Sequence, residues 1–283
     1  MRFNWLFTAS SCLLIGSTTA IFEVFISRSI DSFLPEVNEV ISFKRTGTIT
    51  LLADDGRIIQ KLGPATREKV IIGEIPSIIK KAFISAEDRR FYDHKGVDLR
   101  SIVRALAINI RSIEIKEGAS TITQQLARIV FLNQDKTIAR KIKEVALAYK
   151  LERELSKDQI LEHYLNNVYL GSSAYGIADA SWVYFSKTPN ELTLEEVALI
   201  AGLAPAPSIY SPLINPDLAL KRRSIVLKRM HKEGFISKSA LSIGEKSPLK
   251  LKPAIPKYFN SSAPFFSSWV YTKLPQILTQ EEI

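Results

Sequence analysis

Apolar residues recur at helical spacing through most of this chain, and the exceptions cluster near its start. Ile79, Ala82, Phe83, Ala86 and Arg90 fall on one face at about 100° per residue and predict a helix from Ser77 to Phe91. Asp98 stands where it can cap a second helix, whose stripe is Leu99, Ile102, Val103, Leu106 and Ile110. After a polar stretch from Lys116 to Ser120, a third helix carries Gln124, Gln125 and Leu126. Asp135 is placed to cap a fourth, running from about Ile138 to Glu154. That helix has two apolar stripes, Ile138, Ile142, Val145 and Tyr149 on one side, and Leu147, Leu151 and Leu155 roughly opposite. A helix apolar on two sides is buried or lines a groove.

Further on, Ser156-Lys157-Asp158-Gln159 and Thr193-Leu194-Glu195-Glu196 are capping boxes, each opening a helix. The second of these helices ends near Gly202. Asn215-Pro216 begins a long basic helix that stops at Gly234, with proline early and glycine late. The alternation switches to period two only before Pro76: Thr46 to Leu52 is β-prone, Asp54-Asp55-Gly56 signals a turn, and Arg57-Ile58-Ile59 resumes the extended pattern. Beyond Lys252, prolines and aromatics suggest a connector.

Trp5 to Phe22 holds no charge and leans apolar, close to the roughly 20 residues that cross a bilayer as a helix. Arg2 ahead of it places the short N-terminus in the cytoplasm and the rest outside, although Arg28 on the far side weakens the bias. Ser17 to Ala20 also reads as a cleavage site, so anchor and cleaved signal are the two readings of this segment, with a buried core helix as a third.

The 283 residues suffice for one sizeable domain with appendages. A formal net charge of +9 favours an anionic partner; charge alone leaves nucleic acid, an acidic membrane surface and a pyrophosphate-bearing substrate open. A single cysteine, Cys12, excludes an intrachain disulfide, and the scattered His94, His163 and His231 give no metal-ligand spacing.

Two carboxylates stand out. Glu87 lies at the edge of its helix's apolar face with Phe83 and Phe91 about one turn to either side, a setting that disfavours the charged form and suits a group that takes up a proton near neutral pH. An ordinary boundary glutamate paired with Arg90 is the structural alternative. Glu144 and Arg140 head the second stripe of their helix, a protected place, and an i,i+4 pair between them is the corresponding alternative. Such a pair of acids can divide base work from leaving-group work at a sugar centre. Between them, Gly118 to Gln125 concentrates hydroxyls and amides at a helix start, which can bind an anion or simply cap the helix. Arg128, Lys136, Arg140, Lys141 and Lys143 supply a basic cluster dense enough for pyrophosphate, or a solvated helix face.

In this order the segments resemble glycosyltransferase family 51. Glu87 to Gly96 resembles its first signature, Gly118 to Gln125 its second, Arg140 to Glu144 its third, Lys157 to Gly176 its fourth, and Ala201 to Pro212 with Arg222-Arg223 its fifth. The resemblance covers about residues 40 to 255. It implies a mainly α, lysozyme-like transglycosylase fold with a small N-terminal β-hairpin, one N-terminal transmembrane helix and a membrane-embedded jaw. It implies polymerisation of lipid II into glycan strands on the outer face of the bacterial cytoplasmic membrane, with inversion at the anomeric carbon and release of polyprenyl pyrophosphate. Glu87 is then the general base for the acceptor 4-hydroxyl. Glu144 assists the departing pyrophosphate, directly or through a divalent cation, Mg or Mn. Ser120, Thr121, Gln124 and Gln125 line the donor cleft, Asp88, Phe91, His94 and Gly96 shape the loop beside the base, and Arg128, Lys136, Arg140 and Lys141 serve the pyrophosphate. Arg128 and Lys136 exchange the family's usual Lys and Arg, which keeps the charge and changes the contact geometry.

On this reading, residues 1–28 are a cytoplasmic tip and anchor, 29–75 a connector with the hairpin, 76–255 the glycosyltransferase domain and 256–283 a C-terminal connector. The hairpin and the Pro264 to Val270 tail look like class A penicillin-binding proteins, so the chain is either a short enzyme or the front part of a bifunctional one. Ser77-Ile78-Ile79-Lys80 fits a serine-x-x-lysine pattern but lacks the partner motifs of a transpeptidase. The partners implied are lipid II, the growing glycan, the membrane and elongation or division proteins, not nucleic acid. Two other functions compete: a lytic enzyme acting on finished glycan, and a non-catalytic scaffold.

Overall fold

The computed structural model describes residues 34–43, 49–62, 69–112, 118–132, 137–254 and 261–277. The apolar stretch Trp5 to Phe22 lies outside them, as does Lys136. Among the described residues no helix is long and apolar enough to cross a membrane.

The protein is mainly helical with one two-stranded antiparallel sheet. A short helix α1 (Asn38–Ser42) precedes strands β1 (Ile49–Leu52) and β2 (Ile58–Leu62). Their register pairs Ile49 with Leu62 and Leu51 with Gln60, and a bulge between Leu51 and Leu52 realigns the tip. The turn is where Asp54-Asp55-Gly56 predicts it: Gly56 takes a φ of +81°, which glycine adopts without strain. Helices α2 (Ser77–Glu87), α3 (Leu99–Ser112), α4 (Ile122–Phe131), α5 (Ile138–Glu154) and α6 (Lys157–Asn167) follow. After them come α7 (Gly176–Phe185), a 3₁₀ turn at Pro189–Glu191, α8 (Leu194–Leu203), α9 (Pro216–Lys232), α10 (Lys238–Lys246) and α11 (Pro264–Ile277).

Helix α8 is the centre. Val197 to Leu203 are all buried, so it is apolar all round and packs against α2 and α9. Around it, Ile79, Phe83, Leu126, Leu151, Leu161, Tyr164 and Val226 close a single core. Helix α6 fastens the approach to α2. Asn166 receives the Val70 N–H at 2.8 Å and donates to the Val70 carbonyl at 2.9 Å, while Glu162 receives the Ile72 N–H at 2.8 Å. The N-terminal segment is also part of the core: Val37 and Val40 are buried, and the Lys150 ammonium on α5 donates to the Pro35 carbonyl at 3.0 Å.

The capping boxes at Ser156/Gln159 and Thr193/Glu196 form as predicted, and Asp98 caps α3 by accepting the Ser101 N–H at 3.0 Å. Four expectations are corrected. Helix α2 stops at Glu87, because Asp88 swings out to φ −154° to bond elsewhere; Phe91 is therefore in the following turn, fully buried. The α5 cap is Thr137, whose hydroxyl accepts the Arg140 N–H at 3.1 Å; Asp135 lies outside the described residues. Of the two α5 stripes only Leu147, Leu151 and Leu155 are buried, while Ile138, Ile142 and Tyr149 are exposed. The tail after Lys252 is more than a connector, since it forms α11, and the Ser262 N–H just ahead of that helix donates to the Ile59 carbonyl of β2 at 3.1 Å.

Candidate active site

Glu87 is the last residue of α2 and stands in the lining of a cleft of about 370 Å³. The cleft is walled by the α2 end, the start of α3, residues 118–121, helix α4 and the α8–α9 side. Glu87 itself is partly covered, but its Oε1 is enclosed without a hydrogen-bond partner among the described residues, and its Oε2 accepts the Gln125 Nε2–H at 2.7 Å. Burial pushes its pKa above the ordinary carboxylate value. The Gln125 hydrogen bond and the charges of Arg222 and Arg229 hold it back, and Asp88 adds to the rise. The alternative pairing with Arg90 does not form; Arg90 bonds Asp98 instead. Burial disfavours the Asp98 charge, yet Arg90 and Ser101 overcome this and hold its carboxyl well below the usual range.

The loop after Glu87 is pinned from three sides. Asp88 accepts the Ile122 N–H at the start of α4 at 3.0 Å and bonds His94 Nε2 at 2.9 Å. Thr121 caps α4 and donates its hydroxyl to the Gly96 carbonyl at 2.6 Å. Gly96 sits at φ +90° with its α-carbon so close to α5 that a Cβ there would lie 2.9 Å from the Ala148 carbonyl oxygen. These contacts explain the residue types of the first signature: they hold Glu87 at a fixed place relative to α4.

Among the residues expected to serve the site, Glu87, Asp88, Ser120, Thr121, Gln125 and Arg128 line the cleft. Gln124 does not; its side-chain oxygen accepts the Thr121 N–H at 3.1 Å and is consumed in the capping box. Phe91 and His94 support the loop from behind. Glu144 is completely buried and pairs with Lys141, whose ammonium also donates to the Ser120 hydroxyl at 3.0 Å. It therefore reaches the cleft through Lys141 and Ser120, and its second oxygen has no hydrogen-bond partner among the described residues. In place of the alternative i,i+4 pairing with Arg140, Glu144 makes the i,i+3 pair with Lys141, and Arg140 is half-buried.

Several lining residues were not singled out from the sequence as cleft residues, among them Arg104, Tyr210, Arg222 and Arg229. Arg222 stacks 4.9 Å from the centre of the Tyr210 ring, and Arg229 donates to the Ala86 carbonyl next to Glu87 at 2.5 Å. Their spacing of two helical turns puts both on one face of α9, but that this face meets the cleft depends on how α9 packs on α2. Arg223 points away, to the Ser247 carbonyl at 2.6 Å.

The Lys141 ammonium already holds one Glu144 oxygen, and among the described residues no three acidic, histidine or cysteine side chains converge. Lysine supplies the local positive charge at that oxygen.

An enclosed carboxylate of raised proton affinity, set in a cleft with a basic wall, can accept a proton from a hydroxyl while anionic groups are held nearby. A family model described as transglycosylase matches residues 55–231. Penicillin-binding protein 1A of Escherichia coli K12 is 42% identical over 266 residues, covering 94% of this chain and 31% of that protein. Penicillin-binding protein 1A of Neisseria flavescens is 45% identical over 204 residues, covering 72% of this chain and 26% of that protein. A crystal structure of penicillin-binding protein 1A from Haemophilus influenzae aligns with a TM-score of 0.46 at 24% identity, over 83% of this chain and 25% of that one. The chain belongs to glycosyltransferase family 51, the peptidoglycan glycosyltransferase domain of class A penicillin-binding proteins. It spans about a third or less of the length of these curated relatives.

Proposed function

We propose that this chain polymerises lipid II into glycan strands, with Glu87 as the general base. The acceptor 4-hydroxyl oxygen attacks the anomeric carbon of the lipid-linked donor as Glu87 takes its proton. The bond from that carbon to the pyrophosphate oxygen breaks on the opposite face, the configuration inverts, and polyprenyl pyrophosphate leaves with the electron pair. The raised proton affinity of Glu87 suits this step, and its place in the cleft lining beside Gln125 is the observation that carries the reading. Lys141 and Arg128 meet the departing pyrophosphate, and buried Glu144 fixes the Lys141 ammonium for that task.

The finer architecture is part of the same proposal: a lysozyme-like helical domain held to the outer face of the cytoplasmic membrane by a single N-terminal span. Exposed Leu99 and Val103 on α3, and Ile138 and Ile142 on α5, support a membrane-facing surface, since soluble surfaces seldom leave such stripes uncovered.

Purified lipid II in detergent tests the reaction. Long glycan is expected from the wild type, and Glu87→Gln is expected to lower the rate by about 10²–10⁴. Full activity in that variant refutes the base, and shortening of preformed strands by the wild type identifies a lytic enzyme instead.

A further inference from the structure

Gln125 can serve Glu87 in one orientation only. With its Nε2 toward Glu87 it donates 2.7 Å to the carboxylate; turned over, it would present an oxygen to that same carboxylate. The two ends of an amide are nearly equal in shape, so packing alone cannot choose between them. The ionised carboxylate selects the donating end, and what the other end meets decides how firmly that orientation is kept once the carboxyl is protonated.

That other end meets Tyr164. The hydroxyl of Tyr164, on α6, donates to the Gln125 Oε1 at 3.2 Å. Tyr164 is fully buried, and its ring lies edge-on to Phe83, one turn before Glu87, with centroids 6.3 Å apart. A buried hydroxyl without an acceptor is costly, so Tyr164 and Gln125 each satisfy the other. The charges near this chain of contacts come from several elements: Asp88 beyond α2, Arg128 on α4, and Arg222 and Arg229 on α9. Burial and the neighbouring Glu87 charge push the tyrosine's own pKa far up, so it stays a protonated donor through the working range.

Resting on the reading of Glu87 as base, we propose that Tyr164 is a positioning residue that sets the direction of the Gln125 amide, so that Gln125 donates to the ionised base. Tyr164 touches neither substrate nor the reacting oxygen. It acts one residue removed, by making the donating orientation of Gln125 the favoured one. When Glu87 has taken its proton, the carboxylic acid becomes a donor, and the same tyrosine resists the flip of Gln125 that would accommodate it. The base is thereby biased toward the ionised state in which it begins each turnover.

The test is the pH dependence of polymerisation from lipid II by Tyr164→Phe, which keeps the ring and removes the hydroxyl. Loss of one hydrogen bond's support is expected to move the acid limb of the rate profile to higher pH by roughly 0.5–1 unit, with less loss at alkaline pH. Gln125→Met probes the same contact without touching the tyrosine and is expected to move the limb in the same direction. In the double variant the limb should shift no further than in Gln125→Met alone. A uniform loss of rate with an unmoved limb in either single variant, or additive shifts in the double, overturns the positioning role. Glu87→Gln, run alongside, separates the two claims: if it is dead while the Tyr164→Phe limb stays put, the base stands and the tyrosine's role fails. If Glu87→Gln remains active, the base reading fails first.

Discussion

At the scale of single residues, Glu87 shows how a cleft carboxylate can favour function at some cost to stability. Its pKa in the folded protein is raised, chiefly by burial. A raised pKa means that the folded state binds the proton more tightly than the unfolded chain does. The associated stability is fully present below the unfolded pKa and is lost as pH rises through the folded value. At neutral pH the ionised side chain is therefore a liability. Glu87→Gln, besides losing activity, should melt at a higher temperature than the wild type at pH 7.5. The gain should shrink toward pH 4, and calorimetry at the two pH values checks both size and sign. Arg229 stands at the other extreme of legibility. It lies 143 positions from the Ala86 carbonyl it binds, so no local pattern joins them. Only the packing of α9 on α2 brings the two together.

At the scale of elements, the loop from Asp88 to Gly96 is held by α4 and α5 more than by its own chain. Gly96 has both a left-handed backbone and the Ala148 carbonyl against its face. Gly96→Ala should therefore destabilise the fold by about 2–4 kcal/mol, combining backbone strain with displacement of α5. A denaturant melt reads the stability, and residual activity should fall with it, because the same loop fixes the direction of Glu87. Elements built from local chemistry were legible in advance. The turn at Asp54 to Gly56, the boxes at Ser156 and Thr193, and the proline and glycine bounding α9 all form as their residue types dictate. Those that failed were overruled from a distance. Helix α2 was expected to run on to Phe91, but Asp88 leaves it to bond the α4 N-terminus and His94. The two carboxylates were recognised because family signatures surround them. That Glu144 stays behind Lys141 and Ser120 depends on which way the α5 side chains turn, and a stripe diagram does not fix that.

At the scale of the whole molecule, the exposed apolar side chains fall on definite elements. Ile138 and Ile142 are 83% and 66% exposed one turn apart on α5, and Leu99 and Val103 are similarly uncovered one turn apart on α3. If these faces enter a bilayer, replacing Ile138 and Ile142 together by serine should weaken association with phospholipid vesicles by about tenfold or more, given the apolar area withdrawn. Co-sedimentation with the vesicles reads this directly, and unchanged binding would assign the stripe elsewhere. The two isoleucines lie on the opposite side of α5 from the buried leucines, so the fold itself should melt where the wild type does.

The fastening of residues 34–43 has a practical corollary. Val40 and Val37 are plugs in the hydrophobic interior, and Lys150 is capped by the Pro35 carbonyl. Trimming the polypeptide to begin at residue 44 would pull out both plugs and strand an ammonium on the back of the helix that carries Glu144. A shortened version should keep everything from Leu34 onward.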